Sequence, residues 1–199
     1  MSRATSADGV ASHAPSGPLA GEPFDVPLAL LTGVVSAGDL VPAFEAIEGV
    51  SSAANLQPWR FWLLDPRQKA IVAGHAQDAL GRSRPNHRND AMAAAPALVL
   101  AAMDVGRAKC RFGVRGAELF GVQDVAVATH ALRRAAWAIG LTSHWVREVD
   151  LAAAQEDLAL TPRVRAQALV AFGRVGDGPV ERPPSLRWRD VVALPEGEA

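Results

Sequence analysis

The chain has 199 residues, enough for one domain with a sizeable core, and is 49% hydrophobic and 21% charged. Its formal net charge of -1 provides no basic excess for nucleic acid or an anionic membrane surface. One cysteine, Cys110, excludes an internal disulfide and a cysteine-rich zinc site and fits a reducing compartment, and no run approaches the roughly 18–20 apolar residues of a bilayer span. A cytoplasmic protein is expected.

Residues 1–22 are rich in Ser, Ala, Gly and Pro, have no apolar signal-peptide core and read as a disordered tail. A single domain is expected over 23–199. In "SAGDLVPAFEAIEGV", Asp39 can cap a helix on which Leu40, Phe44 and Ile47 share a face. The next stretch, "SSAANLQPWRFWLLDP", runs small and amide residues straight into two tryptophans. The small residues let backbone N–H groups approach a flat ligand, and the Asn and Gln amides add donors and acceptors. The apolar run from Trp59 to Leu64 reads as a buried strand that would hold such a loop still, although an ordinary turn before a core strand has the same pattern.

"RQKAIVAGHAQDAL" reads as a second helix, and Gly81 opens a cationic polar loop, "GRSRPNHRND". "APALVLAAMD" reads as a buried strand ended by Asp104. "GVQDVAVATHALRRAAWAIGL" reads as a long helix with Val122, Val125, Ala126, Thr129, Leu132, Ala136 and Ile139 on one face, ended by Gly140. Its many alanines would let another helix or a partner subunit pack closely. "TSHWVREVD" reads as a strand or extended turn, "DLAAAQEDLAL" as a short helix and "AQALVAFGRV" as a strand. An extended Pro-rich arm closes the chain.

The residues themselves point to no protein-borne chemistry. No GxGxxG or GxxxxGKS loop and no GxSxG elbow occurs. His75, His87, His130 and His144 lack metal-ligand spacing, and no metal site is expected. The acidic residues are scattered, against a paired-carboxylate site. Cys110 lies between Lys109 and Arg111, where a nucleophile could sit, but a stray cysteine has the same appearance. An enzyme with this inventory would leave the chemistry to a cofactor.

"SSAANLQPWRFWLL" resembles the Ser-x-x-Asn-x-Gln-Pro-Trp loop of the FMN-dependent nitroreductase family. "GVQDVAVATHALRRAAWAIGLTSHWV" is similar to that family's central helix and following Trp-Ile/Val segment, and "ALVAFGRVGDGPVERPPSLRWRDVV" to its last strand and basic arm. The blocks follow in the family's order from about residue 39 to residue 192. The resemblance implies an α+β fold, a mostly antiparallel sheet flanked by helices, built as an intertwined homodimer with two FMN sites at the interface. It implies two-electron reduction or dehydrogenation of a small organic substrate through the flavin, with NAD(P)H as the usual donor.

By position, the resemblance puts Ser51, Ser52 and Asn55 against FMN and Gln57 near the ring or supporting the loop. Gln123 would reach the ring's edge, and the backbone of Trp145, Val146 and Arg147 would lie beside the flavin's reactive nitrogen. A backbone N–H there would stabilise charge developing during hydride transfer.

Two departures stand out. The family's Arg-Arg-Ser-x-Arg segment, which grips the FMN phosphate, corresponds here to "GEPFDVPLALLTGVV", which contains no Arg or Lys. The usual Gly after Trp-Ile/Val is Arg147. Losing two charge-assisted contacts would cost about 3–6 kcal/mol, roughly 10²- to 10⁴-fold in affinity. Arg187 and Arg189 of the C-terminal arm are the best-matching substitutes, with Arg147 and the Arg82-to-Arg88 loop as others. The missing arginines also admit a second reading, a flavin-free or partner-dependent subunit.

Overall fold

The computed structural model describes residues 25–78, 81–82, 87–177 and 186–193. The expected tail at 1–22 lies outside them, as does most of the C-terminal arm. The fold is α+β, with a wholly antiparallel sheet between helices, as the resemblance implied.

The sheet runs β4 (Thr142–Val146), β5 (Val164–Val175), β3 (Ala97–Asp104), β2 (Trp59–Leu63), and the two-residue β1 (Leu31–Thr32) pairs with the far end of β5. β3 is central and buried on both faces from Ala97 to Met103, so it reads as an unbroken apolar run. Period-two alternation divides it: Leu98 and Leu100 face one core, Val99 and Ala101 the other. A bulge between Ala101 and Ala102 shifts its register against β5.

Helices α2 (Pro66–Gly74), α3 (His87–Ala94) and α6 (Leu151–Asp157) cover the first face with Val72, Ala73, Met92 and Ala154. Helices α1 (Ala37–Glu45) and α5 (Gly121–Ala138) cover the second with Leu40, Ala43, Ala128, Leu132 and Ala136. Helix α4 (Val105–Arg115) contributes Ala108 there and passes through a π turn, Gly116–Phe120, into α5.

Several elements differ from expectation for identifiable reasons. Ser36, not Asp39, is the α1 N-cap. Asp39 completes the reciprocal box, its N–H on Ser36 Oγ at 3.2 Å and its carboxylate accepting from the Ser36 N–H at 2.7 Å. The expected second helix starts one residue earlier, at Pro66 behind the Asp65 cap, and stops at Gly74 instead of Leu80. There the backbone turns so that Ala76 bridges Val149. The expected polar loop becomes helical at His87.

On α5 the buried stripe is Gly121, Val125, Ala128, Thr129, Leu132, Arg133 and Ala136. Val122, Ala126 and Ile139 are exposed: Ala126 lies just outside that stripe, Val122 sits in the first turn, and Ile139 is the C-cap past the last helical residue. Gly140, at φ +81°, ends α5 in the left-handed conformation expected of it.

Candidate active site

The amide loop before β2 is strained. Ala54, Asn55 and Gln57 have φ of 49°, 56° and 45°, a region where residues with a Cβ pay on the order of 1 kcal/mol or more each. Four contacts outside the loop's own backbone hold it there. The Ala53 N–H donates to both carboxylate oxygens of Asp124, each at 3.2 Å. Ser52 Oγ accepts from the Gln57 N–H at 2.9 Å. Arg107 Nε donates to the Leu56 carbonyl at 2.9 Å, and the Asp104 N–H to the Pro58 carbonyl at 2.6 Å.

Within the loop, Gln57 Nε2 donates to Asn55 Oδ1 at 2.8 Å. No described residue takes up the other ends of these two amides, Asn55 Nδ2 and Gln57 Oε1. The clamp therefore offers solvent a donor beside an acceptor, which suits a flat heterocycle edge with the reverse pattern. Burial raises the Asp124 carboxyl above its ordinary value, and the Ala53 N–H pulls it back. Gln123, exposed in the first turn of α5, precedes this anchor, so the loop and Gln123 share one end of the molecule.

A second polar group lies along the outer edge of β4. Arg133 projects from the buried stripe of α5 with its side chain 7% exposed. Its Nε donates to Ser143 Oγ at 2.9 Å and its Nη2 to Asp25 Oδ1 at 2.7 Å. The same Asp25 oxygen accepts the Trp145 N–H at 2.9 Å. Burial lowers the Arg133 proton affinity, Asp25 raises it and Arg147 lowers it again, and the guanidinium stays charged at neutral pH.

Backbone N–H groups alternate along a strand, so on β4 Val146 faces β5 while Trp145 faces outward; Arg147 follows the last strand residue. Asp25 occupies the Trp145 N–H; among the described residues nothing accepts from that of Arg147. Val146 itself is buried in the first core.

The sheet order separates the two groups. The amide loop leads into the Trp59 end of β2 at one edge; Trp145 and Val146 lie on β4 at the other, with Arg147 just past it. Trp145 is in register with Leu63 at the opposite end of β2, so three strand spacings and four residues of strand, roughly 20 Å in all, separate the two groups. Arg187 lies on the C-terminal arm with its fork on Asp190, Nε and Nη2 each at 3.0 Å from a carboxylate oxygen. The side chain of Arg189 falls outside the described residues. Arg82 is likewise engaged locally, by Asp78 at 2.8 Å.

Sequence reasoning missed Asp25, Arg107, Asp124 and Arg133. A charge on the buried stripe of a helix was the available signal for Arg133; Asp124 reads as an ordinary first-turn acid. It also missed Arg174 on β5, whose stem packs over Gly33 in the arginine-free segment, with Cδ 3.7 Å from where a Gly33 Cβ would stand. Among the described residues no group of three or more His, Cys, Asp or Glu is placed to hold a metal ion.

An antiparallel sheet between helices, with a strained amide loop at one edge and a polar cluster at the other, defines an α+β scaffold. The chain belongs to the nitroreductase family, whose sequence profile matches residues 26–174. Its fold is shared by a nitroreductase family protein from Streptococcus pneumoniae TIGR4 at 17% identity and TM-score 0.74, over 89% of this chain and 98% of that one. A structure in complex with FMN from Desulfovibrio desulfuricans aligns at 21% identity and TM-score 0.67, over 85% and 91%. The enone reductase CLA-ER, of gut-bacterial fatty acid saturation, aligns at 16% identity and TM-score 0.71, over 86% and 93%. Among curated proteins no sequence relative matches the chain.

Proposed function

We infer that this protein is an FMN-dependent oxidoreductase that moves two electrons between NAD(P)H or an organic substrate and a small acceptor. Family membership supports a flavin oxidoreductase in general terms, and the FMN complex and the enone reductase among its structural neighbours agree with it. The amide loop carries the reading for this chain. Three non-glycine residues held at positive φ, with donor and acceptor left open, are what a built flavin-ring contact needs.

Ser51, Ser52, Asn55, Gln57 and Gln123 would hold the ring, and Trp145–Arg147 would border its reactive nitrogen. Since Asp25 takes the Trp145 N–H, the donor available on that edge is the Arg147 N–H. FMN supplies the two-electron chemistry; the chain binds and orients it and places a donor where charge develops. For the phosphate we retain Arg187 and Arg189, though Arg187 must leave Asp190 to serve, and add Arg174 at Gly33.

The two halves of the site stand too far apart in one chain to border a single flavin, and this supports a homodimer in which each subunit supplies one half. The small net charge favours a small-molecule partner over nucleic acid, and no described helix is long and apolar enough to cross a membrane. A cytoplasmic location rests on the lone cysteine. A second reading, a flavin-free or partner-dependent subunit, draws on the arginine-free segment before α1.

The visible absorption spectrum before and after adding FMN separates the two. Bound flavin bands that shift and sharpen on binding are expected. A spectrum equal to the sum of free FMN and protein would favour the flavin-free subunit.

A further inference from the structure

Trp145 has two guanidiniums against it, and only one of them is paired with a carboxylate among the described residues. Arg147 Cζ lies 5.0 Å from the ring centroid and Arg133 Cζ 5.8 Å, both within cation–π range. Asp25 pairs with Arg133, and among the described residues no carboxylate comes within ion-pair distance of Arg147. Arg147 is exposed, yet its guanidinium is braced on the indole. Its charge opposes that of Arg133, a repulsion that a bound anion would relieve.

The same residue, just past the end of β4, carries a backbone N–H that no described residue accepts from. One position thus offers a fixed backbone donor and, beside it, a planar fork suited to two parallel hydrogen bonds. A glycine at this position would leave the donor and remove the fork. Arg147 therefore adds anion recognition to the site without disturbing the backbone contact.

We propose that Arg147, braced on Trp145, is a specificity-determining residue that selects an organic anion, bearing a carboxylate or a phosphate, for reaction at the bound flavin. The proposal rests on the flavin reading above. Arg133, held by Asp25 and Ser143, positions Trp145 and adds to the local positive potential.

The test titrates FMN-loaded protein with benzoate, phenyl phosphate and benzamide, following the flavin absorbance. Benzamide matches benzoate in shape without the charge. The wild type should bind at least one of the two anions about ten-fold more tightly than benzamide, the scale of one charge-assisted contact. Arg147→Gln, which keeps the backbone N–H, should erase that preference, and Arg147→Lys should keep part of it. A preference for phenyl phosphate alone, or for benzoate alone, identifies which anion is taken.

Equal binding of both anions and benzamide by FMN-loaded wild type would overturn the proposal and leave the flavin reading standing. Should Arg147→Gln weaken FMN but not riboflavin, Arg147 holds the cofactor phosphate and the substrate assignment falls. Failure of the wild type to bind FMN, visible before any probe is added, would remove both.

Discussion

Asp124 ties the amide loop to α5 through both carboxylate oxygens, and one side chain thereby bears on cofactor affinity and on stability at once. Asp124→Ala removes the acceptor, and release of the strained loop should weaken FMN binding about ten-fold, measured by flavin titration. Asp124→Asn keeps an acceptor and should retain most of the affinity. The pair also differs in pH response. Burial raises this carboxyl above the ordinary 3.8, so the native state binds more protons than the unfolded chain between that value and the raised one. Stability contributed by Asp124 therefore falls as pH rises through this window and is level above it. Urea titrations across the acid range should show that slope in the wild type and not in Asp124→Asn; matching slopes would remove the assignment. Asp25 is the other single-residue lever. Asp25→Ala leaves buried Arg133 and the Trp145 N–H without their acceptor, and a loss of about 2 kcal/mol in urea unfolding is expected, reduced from the fully buried case because Asp25 is partly exposed.

Between α4 and α5 the packing depends on two glycines that no local pattern announces. A Cβ on Gly116 would stand 2.0 Å from the Ala108 carbonyl oxygen, and one on Gly121 2.3 Å from Met103 Sδ. The first obstacle is helix backbone and the second a side chain in a close-packed core, so both Ala substitutions overpack, and Gly116→Ala should cost more. Thermal unfolding should place Gly116→Ala about 3 kcal/mol below the wild type and Gly121→Ala nearer 1–2; the reverse order would mean that α4 yields and Met103 does not. The same contrast explains what the sequence made legible. β2, β3 and α5 stand out because burial on a repeating face imposes period two or 3.6, and the Ser51–Trp59 loop stands out because its motif is local. Residues 105–120 suggested nothing: of α4 only Ala108 is buried, and the helix is fixed by the approach of Gly116, a tertiary event. Asp25 and Arg133 escaped notice as a pair for a similar reason, being 108 positions apart and joined only by the fold.

At the scale of the whole molecule, the family resemblance reached the fold class and the order of the site segments, but sheet order decides which segments meet. Ser51–Gln57 and Gln123 share one end, and Trp145 and Val146 sit across the sheet on β4 with Arg147 just after it. A second copy would bring the missing half to each. Exposed apolar side chains are available for one: Val122 and Val127 on α5, Ile139 at its C-cap, and Val114 and Leu119 before it are 36%, 53%, 41%, 69% and 39% exposed. Light scattering of FMN-loaded protein at micromolar concentration should therefore give twice the 20.9 kDa chain mass. Val127→Glu puts a charge into that surface without touching the buried stripe, so it should leave each subunit folded but shift the mass toward one chain. If the flavin is held between subunits, the same substitution should lower FMN affinity in parallel, although Val127 belongs to neither half of the site. A monomeric wild type with FMN bound would show that one chain completes the site alone. A Val127→Glu monomer that keeps full FMN affinity would show that the two halves are not shared across an interface.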